Sequence, residues 1–135
     1  MTDSGNQGPT PFERIGGEAN VRALAERFYD AMDEHEPALA ALHPLEDGKV
    51  SRAARHKFAL FLIGWLGGPQ EYMRLHGHPR LRMRHGHLAV TQAMRDAWMR
   101  SMRTALEHES IAAEMRSFLA EKLGDVADFL RNRPG

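Results

Sequence analysis

The chain has 135 residues, a length that fits one domain with a single buried core. Hydrophobic residues make up 42% and charged residues 27% of it, which is typical of a soluble globular protein. Basic and acidic residues balance at 18 each, so no overall charge attracts the chain to nucleic acid or to a membrane, and we expect neither as a partner. The absence of cysteine excludes disulfides, cysteine-based zinc sites and covalently attached c-type haem.

The amino terminus, "MTDSGNQGPTP", has neither a basic start nor an apolar run and therefore does not read as a signal peptide. No stretch approaches the ~18 apolar residues of a membrane span. We expect a cytoplasmic protein with a disordered tail over residues 1–10, one domain over residues 11–131 and a short tail over residues 132–135.

Proline and glycine divide the first half of the domain into helical segments. After Gly16-Gly17, apolar residues recur at the spacing of one helix face: Val21, Leu24, Phe28 and Met32. Pro37 predicts the start of a short helix, because proline suits a first helical turn. Ser51 is the predicted N-cap of a helix with a broad apolar stripe, made of Phe58, Phe61, Leu62, Trp65 and Leu66.

The second half begins with a long segment, residues 72–90, that we predict to be irregular and, because such loops rarely lack a role, functional. Thr91 is the predicted N-cap of a helix that turns four residues inward, namely Met94, Trp98, Met102 and Ala105. A last helix is predicted from near Ser110, with a kink at Gly124 and an apolar set of Met115, Phe118, Leu119, Val126, Phe129 and Leu130. No run alternates apolar and polar residues, so the predicted fold class is all-α.

The irregular segment contains "GHPRLRMRH", in which two histidines and three arginines fall within nine residues. The pattern His-Glu-x-x-His of a zinc-binding helix is absent from the chain. "HGH" occurs at 76–78 and at 85–87, but divalent metals usually need a third or fourth ligand, and no carboxylate lies between Tyr72 and Val90. The histidines are therefore either solvated loop residues or part of a site with smaller demands.

Haem iron makes such smaller demands, because it needs one axial imidazole on an apolar floor and cations for two propionates. His85 offers the imidazole, and the neighbouring Arg84, with Arg82 and Arg80 nearby, offers the cations. Taken alone, the aromatic and methionine residues of the helices indicate an ordinary core as much as a cofactor pocket.

Four motifs in order change that balance: "FERIGGEANVRALAERFYDAM", "FLIGWLGGPQEY", "GHPRLRMRH" and "RDAWMRSM". With them, the chain from Pro11 to Leu130 resembles the group II truncated haemoglobins of bacteria and plants. The resemblance implies an all-α truncated globin, a two-over-two helical sandwich around non-covalent haem b. Two departures stand out: the segment 45–53 is longer than in the family, and "GHLAV" replaces the Pro-Phe pair that often follows the proximal histidine.

By resemblance, His85 is the proximal iron ligand, and Tyr29, Trp98 and His43 surround the distal ligand. The Trp98 indole nitrogen can only donate a hydrogen bond, which suits a ligand oxygen that carries negative charge. Ala54 occupies the position at which larger globins carry a distal histidine, and Leu88 replaces the family's phenylalanine. The full set of residues expected to contact haem is Phe58, Phe61, Leu62, Lys57, Ala54, Tyr72, Leu81, Arg84, Leu88 and Met102, with Lys57, Tyr72 and Arg84 directed to the propionates.

The function that follows is reversible binding of O2 and of the other diatomic ligands CO and NO. Three polar distal residues favour slow release of O2, which suits nitric oxide dioxygenation or peroxide reduction more than delivery; no flavin or NAD motif is present, so turnover needs an external reductase. No catalytic residue is assigned beyond the haem site. A gas sensor and a helical interaction module without haem remain the alternatives, and the oligomeric state, a homodimer included, stays open.

Overall fold

The computed structural model describes residues 9–80 and 90–131. Within these ranges the chain forms seven helices and one two-stranded hairpin: α1 Pro11–Ile15, α2 Glu18–His35, α3 Pro37–Ala40, β1 Leu45–Glu46, β2 Lys49–Val50, α4 Arg52–Trp65, α5 Glu71–His76, α6 Gln92–Leu106 and α7 Ala113–Leu130. Most of both predicted tails lies outside these ranges, as do residues 81–89.

The four long helices form two packed pairs. α2 contacts α4, α6 contacts α7, and the most extensive interface in the domain joins α2 to α6 across the pairs. The predicted face of α2 lies at this interface, where its four apolar residues are almost completely buried: Val21, Leu24, Phe28 and Met32. Met99, Met102 and Leu119 extend the same core between α6 and α7. The helical periodicity of the sequence is therefore confirmed for the central helices.

Side-chain caps begin three of the helices. The backbone N–H of Ala54 donates to the Ser51 hydroxyl and that of Met94 to the Thr91 hydroxyl, each at 3.1 Å, as the sequence predicts. Thr10 and Glu13 form a reciprocal capping box at the start of α1. Thr10, which the sequence assigns to the tail, therefore belongs to the folded domain.

Several sequence predictions about the helices were wrong. The segment predicted to be irregular begins with a helix, α5, because Glu71 and Arg74 pair across one turn. α7 starts at Ala113 rather than near Ser110, whose backbone N–H instead donates to His108 Nδ1 in a turn. α7 also runs without a break through Gly124. Trp65 is 36% and Phe129 55% exposed, since both lie at helix ends where the apolar stripe leaves the core.

The predicted all-α class is confirmed, and the described residues add to it one hairpin whose strands have two residues each. Asp47 and Gly48, with φ of 53° and 78°, form its tight turn. Such short strands leave no alternating pattern in the sequence. The hairpin falls within residues 45–53, and the N–H of Val50 donates to the Asp33 carboxylate of α2 at 3.1 Å.

Among the described residues, no helix combines the length and the apolar composition that crossing a bilayer requires.

Candidate ligand-binding site

A cavity of about 460 Å³ lies between the two helix pairs. Its volume is within the range of small-molecule and cofactor sites. The walls are mainly apolar and come from α4 and α7, through Ala53, Ala54, Phe58, Phe61, Leu123, Val126 and Leu130. The polar side chains among its lining residues are Tyr29, His43, Ser51, Lys57, Tyr72 and Trp98. This combination of apolar walls with a few convergent polar groups is typical of a binding site.

A smaller cavity of about 140 Å³ adjoins the large one. The two share the side chains of His43, Trp98, Val126 and Leu130. Further residues line the small cavity alone: Leu39, Leu42, Val90, Met94, Arg95 and Ala127. Because they share a wall, we treat the two cavities as one site.

Phe28 supports three of the rings that line the large cavity. Its ring centroid lies 4.8 Å from that of Tyr29, 5.1 Å from that of Phe58 and 5.0 Å from that of Trp98. Phe28 itself is completely buried. The helical periodicity identified Phe28 as a core residue, but nothing in the sequence indicated that it joins the distal rings from three different helices.

Tyr29 and Trp98 offer hydrogen-bond donors to the cavity. Within the described ranges, neither the Tyr29 hydroxyl nor the Trp98 indole N–H has a hydrogen-bond partner. Neither is a completely buried polar atom that lacks a partner. Burial raises the pKa of the Tyr29 phenol well above its ordinary value, and the nearby charge of Arg55 opposes that rise only in part. Tyr29 therefore keeps its proton and remains a donor at any physiological pH.

His43 plays a different part from the other two polar residues. Its Nδ1 lies 3.1 Å from the carbonyl oxygen of Leu39, and since a carbonyl can only accept, Nδ1 donates. A neutral imidazole carries one proton, so Nε2 is then an acceptor. The ring packs edge-on against Tyr29 at 5.6 Å; while it is neutral its Nε2 is an acceptor, and Nε2 becomes a second donor only when the ring is protonated.

An ionic cluster centred on the buried Arg55, which sequence reasoning missed, lies beside Tyr29. Arg55 of α4 is only 4% exposed, and its guanidinium contacts three carboxylates of α2, those of Glu26, Asp30 and Asp33. Burial opposes the charge of Arg55, but hydrogen bonds to Asp30 and Glu26 outweigh it and raise the pKa of the guanidinium. The sequence did contain one signal for this cluster: along the helix that carries Tyr29, the three acidic residues are spaced four and then three residues apart.

The structure brings together eight of the predicted site residues around the large cavity: Tyr29, His43, Ala54, Lys57, Phe58, Phe61, Tyr72 and Trp98. Leu62 and Met102 are instead buried in the core and do not line either cavity. The predictions for Leu81, Arg84, His85 and Leu88 fall outside the described residues. Leu123, Val126 and Leu130 of α7 are lining residues to which sequence analysis gave no role at the site.

Comparisons with known proteins agree with this architecture. The family model described as bacterial-like globin matches residues 10–132. Group 2 truncated hemoglobin YjbI of Bacillus subtilis is 34% identical over 123 residues, which cover 91% of this chain and 89% of the relative.

Solved structures give the same result in three dimensions. The cold-adapted truncated hemoglobin of the Antarctic bacterium Pseudoalteromonas haloplanktis has a TM-score of 0.85 at 40% identity, over 93% of this chain and 99% of that one. The group II 2-on-2 hemoglobin of Agrobacterium tumefaciens has a TM-score of 0.85 at 36% identity, over 98% of this chain and 100% of that one.

The chain therefore belongs to the bacterial-like globins, and within them to the group II truncated haemoglobins. The two packed helix pairs are the two-over-two sandwich of that group. Membership implies haem binding and the binding of small gaseous ligands such as O2.

The described residues fit a haem on chemical grounds. Phe58, Phe61 and Leu123 supply apolar walls for a flat ring system, and the exposed Lys57 supplies a cation at the edge of the cavity. Tyr29 and Trp98 add donors where a ligand would need them.

Proposed function

We propose that this chain binds haem b in the large cavity and retains a diatomic ligand, above all O2, beneath the side chains of Tyr29 and Trp98. Haem supplies the iron to which such a ligand binds. One observation carries the proposal: two donors without another described partner converge on a cavity whose walls are otherwise mainly apolar. Preorganised donors in an apolar site are an effective means of holding a ligand that gains negative charge.

His85 is the proposed axial ligand, and Arg84, Lys57 and Tyr72 are the proposed partners of the propionates. Support for His85 comes from its motif. Val90, the first described residue after that motif, lines the small cavity. Lys57 and Tyr72 line the large cavity.

The distal residues differ in the hydrogen bonds that they can offer to a bound ligand. A hydrogen bond to a charged acceptor contributes roughly 1.5–3 kcal/mol, and Tyr29 and Trp98 can each provide one. Neutral His43 offers an acceptor and therefore does not add a third such bond. Ala54 lines the same cavity and adds no polar group of its own.

Two donors suffice for slow release of O2, and slow release favours chemistry on the ligand over its delivery. We propose nitric oxide dioxygenation or peroxide reduction as that chemistry, with CO and NO as further ligands. The electrons come from an external reductase, because the sequence carries no flavin or NAD motif.

The test compares two histidines of the same motif. Purified apoprotein is titrated with haemin, reduced and exposed to CO, for the wild type, His85→Ala and the control His78→Ala. We expect His85→Ala to lose stable haem unless imidazole is added. His78→Ala should keep the wild-type spectrum, because His78 is exposed and, among the described residues, its Nδ1 accepts a local N–H from Arg80 at 3.2 Å.

The reverse result, haem loss in His78→Ala with a normal spectrum in His85→Ala, would move the axial ligand to His78. A wild-type protein that takes up no haemin at all would leave the helical interaction module as the better reading.

A further inference from the structure

We infer that Arg55 is a positioning residue for the distal site: clamped by three carboxylates of α2, it holds the ring of Tyr29 so that the hydroxyl faces the cavity. This inference deepens the proposed function and rests on it for the effect on ligand release. The positioning of Tyr29 itself can be measured without haem.

The guanidinium of Arg55 is fixed on every side. Its Nε donates to the carbonyl of Val50 at 2.9 Å, and Nη1 donates to Glu26 at 3.0 Å and to Asp30 at 2.8 Å. Its Nη2 donates to Asp33. A planar fork with this many partners has one orientation, because turning it would break several charge-assisted hydrogen bonds together.

Arg55 meets Tyr29 directly. The guanidinium carbon lies 5.7 Å from the centroid of the Tyr29 ring, within the range of a cation–π interaction. Tyr29 is followed in α2 by Asp30, so the clamp and the tyrosine share one stretch of helix. Arg55 does not line either cavity, whereas Tyr29 lines the large one, so the contact between them connects Arg55 to the site of a ligand.

Stability alone does not account for this arrangement. A buried ion pair is often no more stabilising than apolar residues of the same volume, because removing charges from water costs about what their attraction returns. What charged groups add is direction, since each hydrogen bond accepts a narrow set of angles. In this structure the directed hydrogen bonds fix Arg55, and Arg55 contacts Tyr29, the residue next to which a ligand would bind.

Arg52 provides a matched control. It also contacts Glu26, but its side chain is 69% exposed and it does not contact the Tyr29 ring. Arg52→Gln therefore removes a salt bridge to the same carboxylate while leaving Tyr29 in place.

The first experiment reads the tyrosine directly. The chain contains two tyrosines, so biosynthetic 3-fluorotyrosine gives two 19F signals, which Tyr72→Phe assigns. In Arg55→Gln, we expect the Tyr29 signal to shift and broaden in both apoprotein and haem-loaded protein, while the Tyr72 signal stays. Arg52→Gln should move neither. Arg55→Lys, which keeps the charge and loses the fork, should fall between wild type and Arg55→Gln.

The second experiment connects position to ligand. The CO stretching band and stopped-flow O2 release are measured for Arg55→Gln and Arg52→Gln, each with Tyr29 and with Tyr29→Phe. We expect Arg55→Gln to split the CO band and to speed O2 release about tenfold, near the lower limit for one hydrogen bond to a charged acceptor. With Tyr29→Phe the effect of Arg55→Gln should vanish, because Arg55 acts through that hydroxyl.

Unchanged 19F signals in Arg55→Gln would overturn the inference, and so would an equal effect on O2 release with and without Tyr29. If Arg55→Gln does not fold, Arg55→Lys and Asp30→Asn carry the same comparison, since Asp30 is exposed. If the wild-type protein does not bind haem, the proposed function is wrong. The 19F result in the apoprotein then tests by itself whether Arg55 positions Tyr29.

Discussion

The α2–α4 wall and the α6–α7 wall of the cavity differ in which residues support the side chains that line the cavity. Behind Tyr29 is a guanidinium surrounded by carboxylates. Next to Trp98 in α6 are Met99 and Met102, both completely buried. One ion pair also joins α6 to α7, between Arg95, which lines the small cavity, and Asp128, whose side chain is 62% exposed.

The difference teaches how each wall positions its donor. Dispersion contacts depend on distance and little on angle, so a packed wall holds Trp98 by filling the space around it. Hydrogen bonds to a guanidinium depend on angle as well, so the ionic wall holds Tyr29 by orientation. The first arrangement should respond to lost volume, and the second to altered geometry even when charge and size are kept.

The largest effect should come from removing volume in the packed wall. Met102→Ala should lower the free energy of unfolding by about 2–5 kcal/mol, because it leaves a cavity in the core, whereas Met102→Leu should cost less than about 1.5 kcal/mol. Urea unfolding of the apoprotein measures both. The comparison breaks if Arg55→Lys, a conservative change in the other wall, costs less than Met102→Leu.

A smaller effect should follow from removing one donor while keeping its packing. Trp98→Phe retains a ring against Phe28 and loses the indole N–H. The loss of about 1.5–3 kcal/mol should speed O2 release about ten- to hundredfold, and release of CO less, because bound CO carries less charge. Stopped-flow dissociation from the ferrous protein measures both rates.

Tyr29→Phe should act in the same direction, and the double variant should be non-additive because both donors reach one ligand. If O2 release from Trp98→Phe stays within a factor of about two of the wild-type rate, Trp98 is a packing residue. Tyr29 is then the one donor of the two walls.

The smallest effect should be on acid stability. Burial raises the pKa of Glu26, but hydrogen bonds from Arg52 and Arg55, together with their charges, lower it below the ordinary 4.5. A lowered folded-state pKa stabilises the fold above pH 4.5, and this stabilisation is lost as pH falls through the folded value. Because Glu26 is partly exposed, we expect less than about 1 kcal/mol.

Urea unfolding between pH 7 and pH 3 compares wild type with Glu26→Gln, whose stability should fall less steeply below pH 4.5. Met102→Leu serves as the control and should keep the wild-type slope. Parallel curves for Glu26→Gln and wild type would mean that the carboxylate contributes nothing to the ionic wall.

The sequence predicted the packed wall better than the ionic one. Apolar residues of α2 and α6 recur at helical spacing, and that spacing alone identifies the faces that meet. The carboxylate partners of Arg55 lie 22 to 29 residues away along the chain, and no local pattern indicates which charges will pair after folding. The resemblance to the family named eight residues that line the large cavity, but it did not indicate the contacts that support them.

Departures from the predicted elements have local causes. The hairpin is too short to alternate, and α5 depends on a polar first turn, so neither leaves an apolar signature. Phe129 continues the spacing of α7 past the point where the partner helices end, which only the assembled domain reveals.

Phe28 makes the two walls dependent on each other. One buried ring touches Tyr29 and Phe58 on one side of the cavity and Trp98 on the other, so any change of its shape reaches both donors. Substitutions at either donor are then constrained by what the shared ring accommodates. A library that varies Tyr29 and Trp98 should therefore randomise Phe28 as well, since its ring packs against both.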